Sequence, residues 1–408
     1  MTKTLRGAAV AAIALLSACA ATIPGGGRPV PFADLQGWGA EEAAAALPTF
    51  LAECRHLGRL PVEASLGTGS LGTSSPGTSL STGDQGSGDA PSGSPGGRLG
   101  THVGDWLPSC RAAASLPVGD GPAARQFFET WFQPTLMTPS ALFTGYYEPE
   151  IRGALSRGGI FQTPVYRVPD DLVRTRATDG RMVTGRWENG KFVPYWTRAQ
   201  IDAGALAGRN LELLWVADPA DLFFLQIQGS GRVRLPSGQV VRLGYGGKNG
   251  RDYVPLGRVL VRQGEMDEDA VSMQSIRAWL SAHPDRARAV MEENPDYVFF
   301  DMLDNLHPDQ GAPGAMGVPL APGRTAAVDQ RAIPLGAPIW VETTLPAPAN
   351  ASWRRLVFAQ DTGTDIQGPG RADLFLGWGD QAEQVAGAMR QDGRMVVFVP
   401  RPVVTRQP

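Results

Sequence analysis

The chain has 408 residues, of which 42% are hydrophobic and 19% charged, and its formal net charge is −3 at pH 7. A chain of this length and apolar content can bury enough surface for two domains. Because there is no basic excess to neutralise phosphates, the charge argues against a nucleic-acid partner and favours a neutral or mildly charged substrate. The four histidines are scattered along the chain, so the sequence predicts no metal site and no cofactor.

The chain begins with the pattern of an export signal. A short positive start precedes the apolar run GAAVAAIALL at 7–16, which is too short to span a bilayer as a mature helix. The LSAC sequence at 16–19 resembles the lipobox of bacterial lipoproteins, so residues 1–18 are predicted to be removed and Cys19 to carry lipid. The alanine that follows implies, by the same resemblance, sorting to the outer membrane, with the protein on its periplasmic face. An uncleaved anchor or a chance apolar start is the alternative.

The other cysteines fit an oxidising compartment. With Cys19 lipidated, Cys54 and Cys110 remain as an even pair, and we predict a disulfide between them, worth about 4 kcal/mol on a chain-entropy model. Two free buried thiols are the alternative. Residues 19–64 form an N-terminal segment, and residues 65–100 are almost without apolar side chains, which predicts a disordered Gly/Ser-rich insertion.

From residue 101 onward the pattern is mainly β with several helices. An amphipathic helical region is predicted over 104–134, because apolar side chains cluster on one side. Short β-rich runs separated by turn residues follow, at 141–151, 161–168, 185–195, 211–219 and 221–245. Helices are predicted next, from about Ser272 through Leu280 and over 285–294. An apolar run at 297–303 and a Gly/Pro-rich crossover then lead into strands at 337–344, 354–361, 371–379 and 394–400.

Three aspartates in the last quarter of the chain are the best catalytic candidates. Asp329, Asp361 and Asp373 each lie beside an apolar run in a short segment flanked by Gly or Pro. We therefore expect each carboxylate to leave a buried strand and to point into a shared cleft. Such an arrangement suits acid/base chemistry on a neutral polymer.

Seven sequence blocks occur in a fixed order between residues 104 and 400. They read FTGYYEPEI, FFLQIQGSGR, LGYGGKNGRDY, SMQSIRAWLSAHP, NPDYVFF, GVPLAPGRTAAVD and AQDTGTDIQGPGRADLFLGWG. In this order they resemble the membrane-bound lytic murein transglycosylase A family. The resemblance implies a mainly β fold with several helices, in which a double-psi β-barrel catalytic domain is built from residues 101–149 and 302–408. A β-rich substrate-binding domain would be inserted at 150–301, with a groove between the two.

The resemblance also implies a reaction, the cleavage of the β-1,4 bond between N-acetylmuramic acid and N-acetylglucosamine in peptidoglycan. The family's catalytic acid lies in the block that reads RADLFLG here, which places that role on Asp373. One carboxyl group can protonate the leaving oxygen and then, as a carboxylate, accept the proton of the muramic acid C6 hydroxyl, which closes a 1,6-anhydro ring. Asp361 is expected to raise the pKa of Asp373 by charge repulsion. Asp329 is expected to be structural and to bond backbone amides at a barrel turn.

Polar and aromatic residues near these blocks are candidate sugar contacts, since aromatic faces stack on pyranose rings and polar groups bond to hydroxyls and acetamides. The candidates are Thr144, Tyr146, Tyr147, Glu148, Gln226, Gln228, Ser230, Asn249 and Trp378. Strand alternation sends one of the two tyrosines to the core, and Gln226 and Gln228 are expected on one strand face. Structural roles stay open for the glutamines, for Asn249 as a turn residue and for Trp378 as a cap on the barrel.

Two other functions remain open at this stage. A two-carboxylate glycoside hydrolase of murein, with Asp373 as acid and Asp361 or Glu148 as base, would add one water and release reducing ends. A non-catalytic glycan-binding module would bind murein without solubilising it. The expected partners are peptidoglycan glycan strands and, through Cys19, outer-membrane lipid. Other cell-wall enzymes are further candidate partners that the sequence does not specify.

Overall fold

The computed structural model describes residues 27–67, 100–346 and 351–402. The predicted signal peptide, the predicted lipid site at Cys19 and most of the predicted Gly/Ser-rich insertion lie outside these ranges. Within them, no helix combines the length and the apolar composition that a membrane crossing needs.

The described helices lie in the N-terminal segment, in the middle of the chain and near its end. They are α1 (Ala43–Leu57), α2 (Val103–Ala113), α3 (Gly121–Trp131), α4 (Arg198–Gln200), α5 (Pro219–Gln228), α6 (Leu256–Arg262), α7 (Met273–Ala282), α8 (Pro284–Glu292) and α9 (Gly379–Ala388).

The described strands fall into three sheets. They are β1 (Arg28–Pro29), β2 (Phe132–Leu136), β3 (Ala141–Glu148), β4 (Glu150–Ala154), β5 (Thr163–Tyr166), β6 (Val173–Arg176), β7 (Met182–Glu188), β8 (Lys191–Pro194), β9 (Glu212–Val216), β10 (Gly231–Arg234), β11 (Val240–Lys248), β12 (Val298–Leu303), β13 (Thr325–Val328), β14 (Pro338–Leu345), β15 (Ala351–Asp361), β16 (Arg371–Trp378) and β17 (Arg390–Pro400).

Six strands of the largest described sheet close into a barrel. In the order β3, β16, β13, β15, β14, β17, each strand pairs with the next, and β17 pairs back with β3. β16 is parallel to β3 and β13 is parallel to β15, whereas the other neighbours are antiparallel. Closure leaves no free edge in the barrel itself. Outside it, β2 and β1 extend the sheet from β17.

The barrel packs against α1, α2 and α3 through large aromatic side chains. The ring centroid of Phe50 on α1 lies 6.0 Å from that of Phe128 on α3 and 6.1 Å from that of Phe358 on β15. All three side chains are completely buried, and aromatic burial of this kind contributes strongly to core stability. A disulfide joins Cys54 of α1 to Cys110 of α2, with the Cα atoms 5.3 Å apart, which is the pairing predicted from the sequence.

The inserted part begins where β3 ends. β4 starts two residues later in a second sheet with the strand order β12, β11, β10, β4, β9, β5, and α5 to α8 pack around one apolar cluster beside it. A separate sheet contains β6, β7 and β8. Its β7–β8 hairpin turns at Asn189 and Gly190, both with positive φ, as the Asn-Gly pair in the sequence predicts. The chain returns to the barrel through the crossover after β12.

One predicted strand is a helix. The sequence pattern places residues 221–245 in strands, but the structure forms α5 before β10 begins. The side chain of Asp218 caps the N-terminus of α5, a proline occupies its first turn, and Gly229, with φ +79°, ends it. The consecutive apolar residues 222–225 are all buried, so this helix lacks the polar face by which an amphipathic helix is recognised.

The predicted fold class is confirmed. The chain is mainly β with several helices, and its described residues form a closed barrel and an inserted β-rich part. The last four predicted strands correspond to β14, β15, β16 and β17, and the predicted helical region over 104–134 is α2, α3 and the start of β2.

Candidate active site

Asp373 lies on β16 beside the parallel strand β3. Its register partner on β3 is Thr144, whose hydroxyl donates a hydrogen bond to Asp373 Oδ1 at 2.7 Å. Arg371, two residues earlier on the same face of β16, donates from Nη2 to Thr144 Oγ1 at 2.8 Å. Asp373 and Thr144 are only partly buried, so a substrate can reach this carboxyl group.

Asp361 is the last residue of β15, on the other side of β13. Ala327 of β13 is the register partner of both Asp361 and Asp373, so the two aspartates are two strands apart, roughly 10 Å across the sheet. Asp361 Oδ1 accepts hydrogen bonds at 2.9 Å from two backbone N–H groups of adjoining loops, and Tyr146 donates its hydroxyl to Oδ2 at 3.1 Å. Both carboxylate oxygens of Asp361 therefore have partners.

Apolar side chains surround the two carboxyl groups. Tyr146 packs on Phe375 with 5.2 Å between ring centroids, in a cluster that also contains Ala327 and Ile366. Burial raises the pKa of Asp373 to about 6, and the Asp361 carboxylate adds to this, against the opposing effects of the Thr144 hydroxyl and the Arg371 charge. Asp373 can therefore hold or release a proton near neutral pH.

Burial also raises the pKa of Asp361, against the hydrogen bonds that its carboxylate accepts. The pKa of the Tyr146 phenol is raised well above its usual value by burial and by the charges of Asp361 and Asp373. Tyr146 therefore stays a hydrogen-bond donor to Asp361 throughout the neutral range.

The third aspartate does not join this pair. Asp329 follows β13, and its carboxylate accepts hydrogen bonds of 2.8 to 3.0 Å from the side chain and backbone of Arg331 and from the backbone N–H of Gly368. Burial alone would raise the pKa of Asp329, but these hydrogen bonds lower it below its usual value. The expected cleft shared by all three aspartates is wrong for Asp329, whose contacts are those of a structural carboxylate.

Glu148 is not available to a sugar, and its prediction as a substrate contact is wrong. Its side chain has no exposed surface. Arg232 donates to Oε2 at 3.0 Å, Arg242 donates to both oxygens, and the backbone N–H of Ala312 donates to Oε1. Glu148 instead ties the end of β3 to the inserted sheet and to the crossover.

Five further predicted sugar contacts are also buried, and the structure corrects them. They are Tyr146, Tyr147, Gln226, Ser230 and Asn249, with exposures of 8%, 1%, 4%, 8% and 0%, so both tyrosines and not one of them are buried. Gln226 bonds an arginine guanidinium and a backbone carbonyl, and the Asn249 amide donates to two backbone carbonyls. Gln226 and Gln228 do not share a strand face, because both belong to α5.

Gln228 and Trp378 are partly exposed, so their prediction as sugar contacts remains a prediction together with that of Thr144. Gln228 accepts a hydrogen bond from the backbone N–H of Tyr147 at 3.1 Å. The guanidinium of Arg232 lies 3.7 Å from the ring centroid of Trp378. Trp378 therefore contacts both Arg232, which pairs with Glu148, and the apolar side chains around Asp373.

Arg371 was not among the site residues predicted from the sequence. Its position two residues before Asp373 on a predicted strand is a sufficient signal, because residues i and i+2 share a strand face. For metals, no group of His, Cys, Asp or Glu side chains in the described ranges is arranged to hold an ion.

Two family models match the chain. The model described as the MltA specific insert domain matches residues 142–301, and the model described as the 3D domain matches residues 324–399. Among curated proteins, the membrane-bound lytic murein transglycosylase A of Vibrio cholerae is 32% identical over 265 residues, which are 63% of this chain and 64% of that protein. The chain thus spans less than two thirds of the length of this curated relative.

Solved structures give a longer match. A membrane-bound lytic murein transglycosylase from Agrobacterium tumefaciens superimposes with a TM-score of 0.76 and 30% identity, over 91% of this chain and 97% of that one. The structure of Escherichia coli MltA with bound chitohexaose has a TM-score of 0.57 and 31% identity, over 74% and 82% of the two chains.

The fold and the site define a two-part β protein whose barrel carries an accessible carboxyl group able to exchange a proton near neutral pH. With the family models and the Agrobacterium structure, this places the chain in a known group. It belongs to the membrane-bound lytic murein transglycosylase A family.

Proposed function

We propose that this protein is a lytic transglycosylase that cleaves the β-1,4 bond between N-acetylmuramic acid and N-acetylglucosamine in peptidoglycan. The observation that supports this most directly is Asp373, an accessible carboxyl group whose pKa is raised to about 6 by burial. A general acid is most effective when its pKa lies near the working pH.

The reaction needs one carboxyl group. Protonated Asp373 donates its proton to the glycosidic oxygen as the C1–O bond breaks, and N-acetylglucosamine leaves as the free alcohol. The Asp373 carboxylate then accepts the proton of the C6 hydroxyl of the muramic acid residue while that oxygen bonds to C1. The product is a 1,6-anhydro end, Asp373 is protonated again, and no water is consumed.

The surroundings of the other carboxylates favour this reaction over hydrolysis by two carboxylates. A water-activating base or a nucleophile needs a free oxygen next to the sugar. Both oxygens of Asp361 accept hydrogen bonds from protein donors, and Glu148 is buried and ion-paired. The role proposed for Asp361 is to raise the pKa of Asp373.

We propose peptidoglycan glycan strands as the substrate and the periplasmic face of the outer membrane as the location, with lipid on Cys19. The relative from Escherichia coli whose structure contains chitohexaose supports a β-1,4-linked amino sugar as ligand, and the relatives' names describe membrane-bound proteins. We also propose that residues 101–149 with 302–408 form the catalytic domain and residues 150–301 the substrate-binding domain.

Digestion of purified murein, followed by mass spectrometry of the soluble fragments, tests the activity. We expect muropeptides lighter by one water than those that a muramidase releases from the same murein. Borohydride treatment is the control, because it reduces hydrolytic ends but leaves 1,6-anhydro ends unchanged. Products with reducible ends would identify a hydrolase, and binding without soluble fragments would identify a glycan-binding module.

The lipid anchor needs a separate test. Cells that express the full chain are grown with a labelled fatty acid, and the label should enter the protein and disappear in Cys19→Ser. Equal labelling of the two proteins would contradict the proposed site.

A further inference from the structure

The hydroxyl of Thr144 has two hydrogen-bond partners, and together they fix the direction in which it donates its proton. Arg371 donates to Thr144 Oγ1, and a guanidinium can only donate. The single proton of the Thr144 hydroxyl is therefore available for Asp373 Oδ1, which lies at 2.7 Å. The register of β3 and β16 places Thr144 directly beside Asp373.

The two oxygens of Asp373 are consequently not equivalent. Oδ1 accepts from Thr144, whereas Oδ2 has no hydrogen-bond partner among the residues that the structure describes. A proton on Oδ1 would point at Thr144 Oγ1 and leave the Thr144 hydroxyl without an acceptor in the described surroundings. A proton on Oδ2 keeps both hydrogen bonds of Thr144 intact. An unmade hydrogen bond in such partly buried surroundings is costly.

We infer that Thr144, oriented by Arg371, is a positioning residue that keeps the acidic proton of Asp373 on Oδ2, where substrate can receive it. This rests on the proposed function, in which Asp373 is the general acid. It replaces the sequence-based role of Thr144 as a sugar contact with an action through Asp373.

The same contact serves the second half of the reaction. After Asp373 has given up its proton, the Thr144 hydroxyl donates to the resulting carboxylate and stabilises it. Other charged or titratable groups lie around Asp373 and stay in place in a Thr144 variant. They are Arg371 on β16, Asp361 on β15 and Tyr146 on β3, with Arg390 on β17 and Asp365 acting on Arg371.

Thr144→Val tests the inference, because valine keeps the branched shape and removes the hydroxyl. Thr144→Ser, which keeps the hydroxyl, is the matched control. The first measurement follows the Asp373 carboxyl carbon by NMR in labelled protein without substrate, with Asp373→Asn to assign the signal. We expect the titration midpoint of Asp373 to rise in Thr144→Val, because a hydrogen bond to the charged form is lost, and to return toward the wild-type value in Thr144→Ser.

The second measurement is the pH profile of murein solubilisation. We expect Thr144→Val to lower the maximal kcat by at least about tenfold, the factor typical of one lost hydrogen bond to a charged group. KM should change little, the descending limb should move to higher pH, and Thr144→Ser should recover most of the rate. A thermal melt of each variant confirms that it is folded.

The outcomes separate this inference from the proposed function. If Thr144→Val is folded and keeps both the wild-type Asp373 titration and the wild-type kcat, the positioning role is wrong, whatever product the enzyme makes. If KM rises and kcat is unchanged, Thr144 is a sugar contact and the inference also fails. If the wild type makes no anhydro product, the proposed function fails, and the NMR titration still decides whether Thr144 controls the Asp373 proton.

Discussion

Glu148 and Asp373 lie on the same pair of strands but in opposite surroundings. On β3, Thr144 is the register partner of Asp373, and Glu148, four residues on, is the partner of Trp378 on β16. Glu148 has no exposed surface and accepts hydrogen bonds from two guanidinium groups and a backbone N–H. Asp373 is partly exposed and accepts one hydrogen bond, from a neutral hydroxyl.

The difference shows what makes a carboxyl group a proton donor. Burial disfavours the charged form of any carboxylate, and strong donors can compensate for that cost. Around Glu148 two arginines pair with the buried carboxylate and join the inserted sheet to the barrel. Around Asp373 the Thr144 hydroxyl and the Arg371 charge offset the effect of burial only in part, so the pKa of Asp373 rises to about 6. The presence of a carboxyl group alone therefore does not show which of the two residues can donate a proton.

The largest expected effect is that of Asp373→Asn on activity. We expect solubilisation of murein to fall by about 10²–10⁴-fold, the usual contribution of a positioned general acid. Stability at pH 7 should be unchanged or slightly higher. The pKa of folded Asp373 is raised, so its favourable contribution is present at low pH and is lost as the pH rises through about 6.

The measurement pairs initial rates with urea unfolding at pH 7. Asp309→Asn on the exposed crossover loop is the control and should keep wild-type rates, because the Asp309 side chain is 84% exposed. Anhydro product from Asp373→Asn at an undiminished rate would remove Asp373 from the mechanism.

Glu148→Gln should instead affect stability. The substitution leaves Arg232 and Arg242 buried without their carboxylate, and loss of one partner from a buried ion pair costs about 3–5 kcal/mol. Glu150→Gln is a matched control two residues along the chain, because Glu150 pairs with Arg234 at the surface, with side chains 30% and 51% exposed. Surface pairs of this kind contribute about 0–1 kcal/mol. Equal unfolding free energies for the two variants would contradict the structural role of Glu148.

The sequence predicted most strands because alternation and turn residues repeat along the chain. The strand prediction failed at α5, because both sides of its apolar run are buried. The capping residues were the better signal of a helix there. The sequence-based prediction also failed at Glu148, because alternation assumes that one face of a strand meets solvent. At the end of β3 Tyr147 and Glu148 are both buried, since the barrel and the inserted sheet meet there and cover both faces.

The candidate site was also predicted only in part from the sequence. The family resemblance located Asp373 and Asp361, but their neighbours depend on contacts between residues far apart in sequence. Thr144 and Asp373 are 229 positions apart, and Tyr146 and Asp361 are 215 apart. Asp329 shows that a position beside an apolar run is not enough to predict a catalytic carboxyl group, because Arg331, two residues later, forms an ion pair with its carboxylate.

Asp361→Asn should have a smaller effect, on pH dependence. The Asp361 charge raises the pKa of Asp373, so its removal should lower that pKa and reduce the protonated fraction at pH 7. We expect a several-fold loss of rate at pH 7, little loss at pH 5, and a descending limb moved to lower pH. An equal loss at every pH would indicate that Asp361 touches substrate or reacting atoms instead.

The smallest expected effect on activity is that of Asp329→Asn, whose effect should be confined to stability. The pKa of folded Asp329 is lowered below its usual value, so its contribution is present above the pKa of the unfolded chain and is lost as the pH falls through the lower, folded pKa. We expect the variant to unfold about 1–3 kcal/mol more easily at pH 7, as for loss of hydrogen bonds to a charged group. The difference from wild type should begin to shrink below the usual aspartate pKa of about 3.9, because the unfolded wild-type chain then binds a proton that folded Asp329 still resists. Urea unfolding between pH 3 and pH 7 measures this, and a constant difference over that range would mean that the Asp329 charge is not what holds the turn.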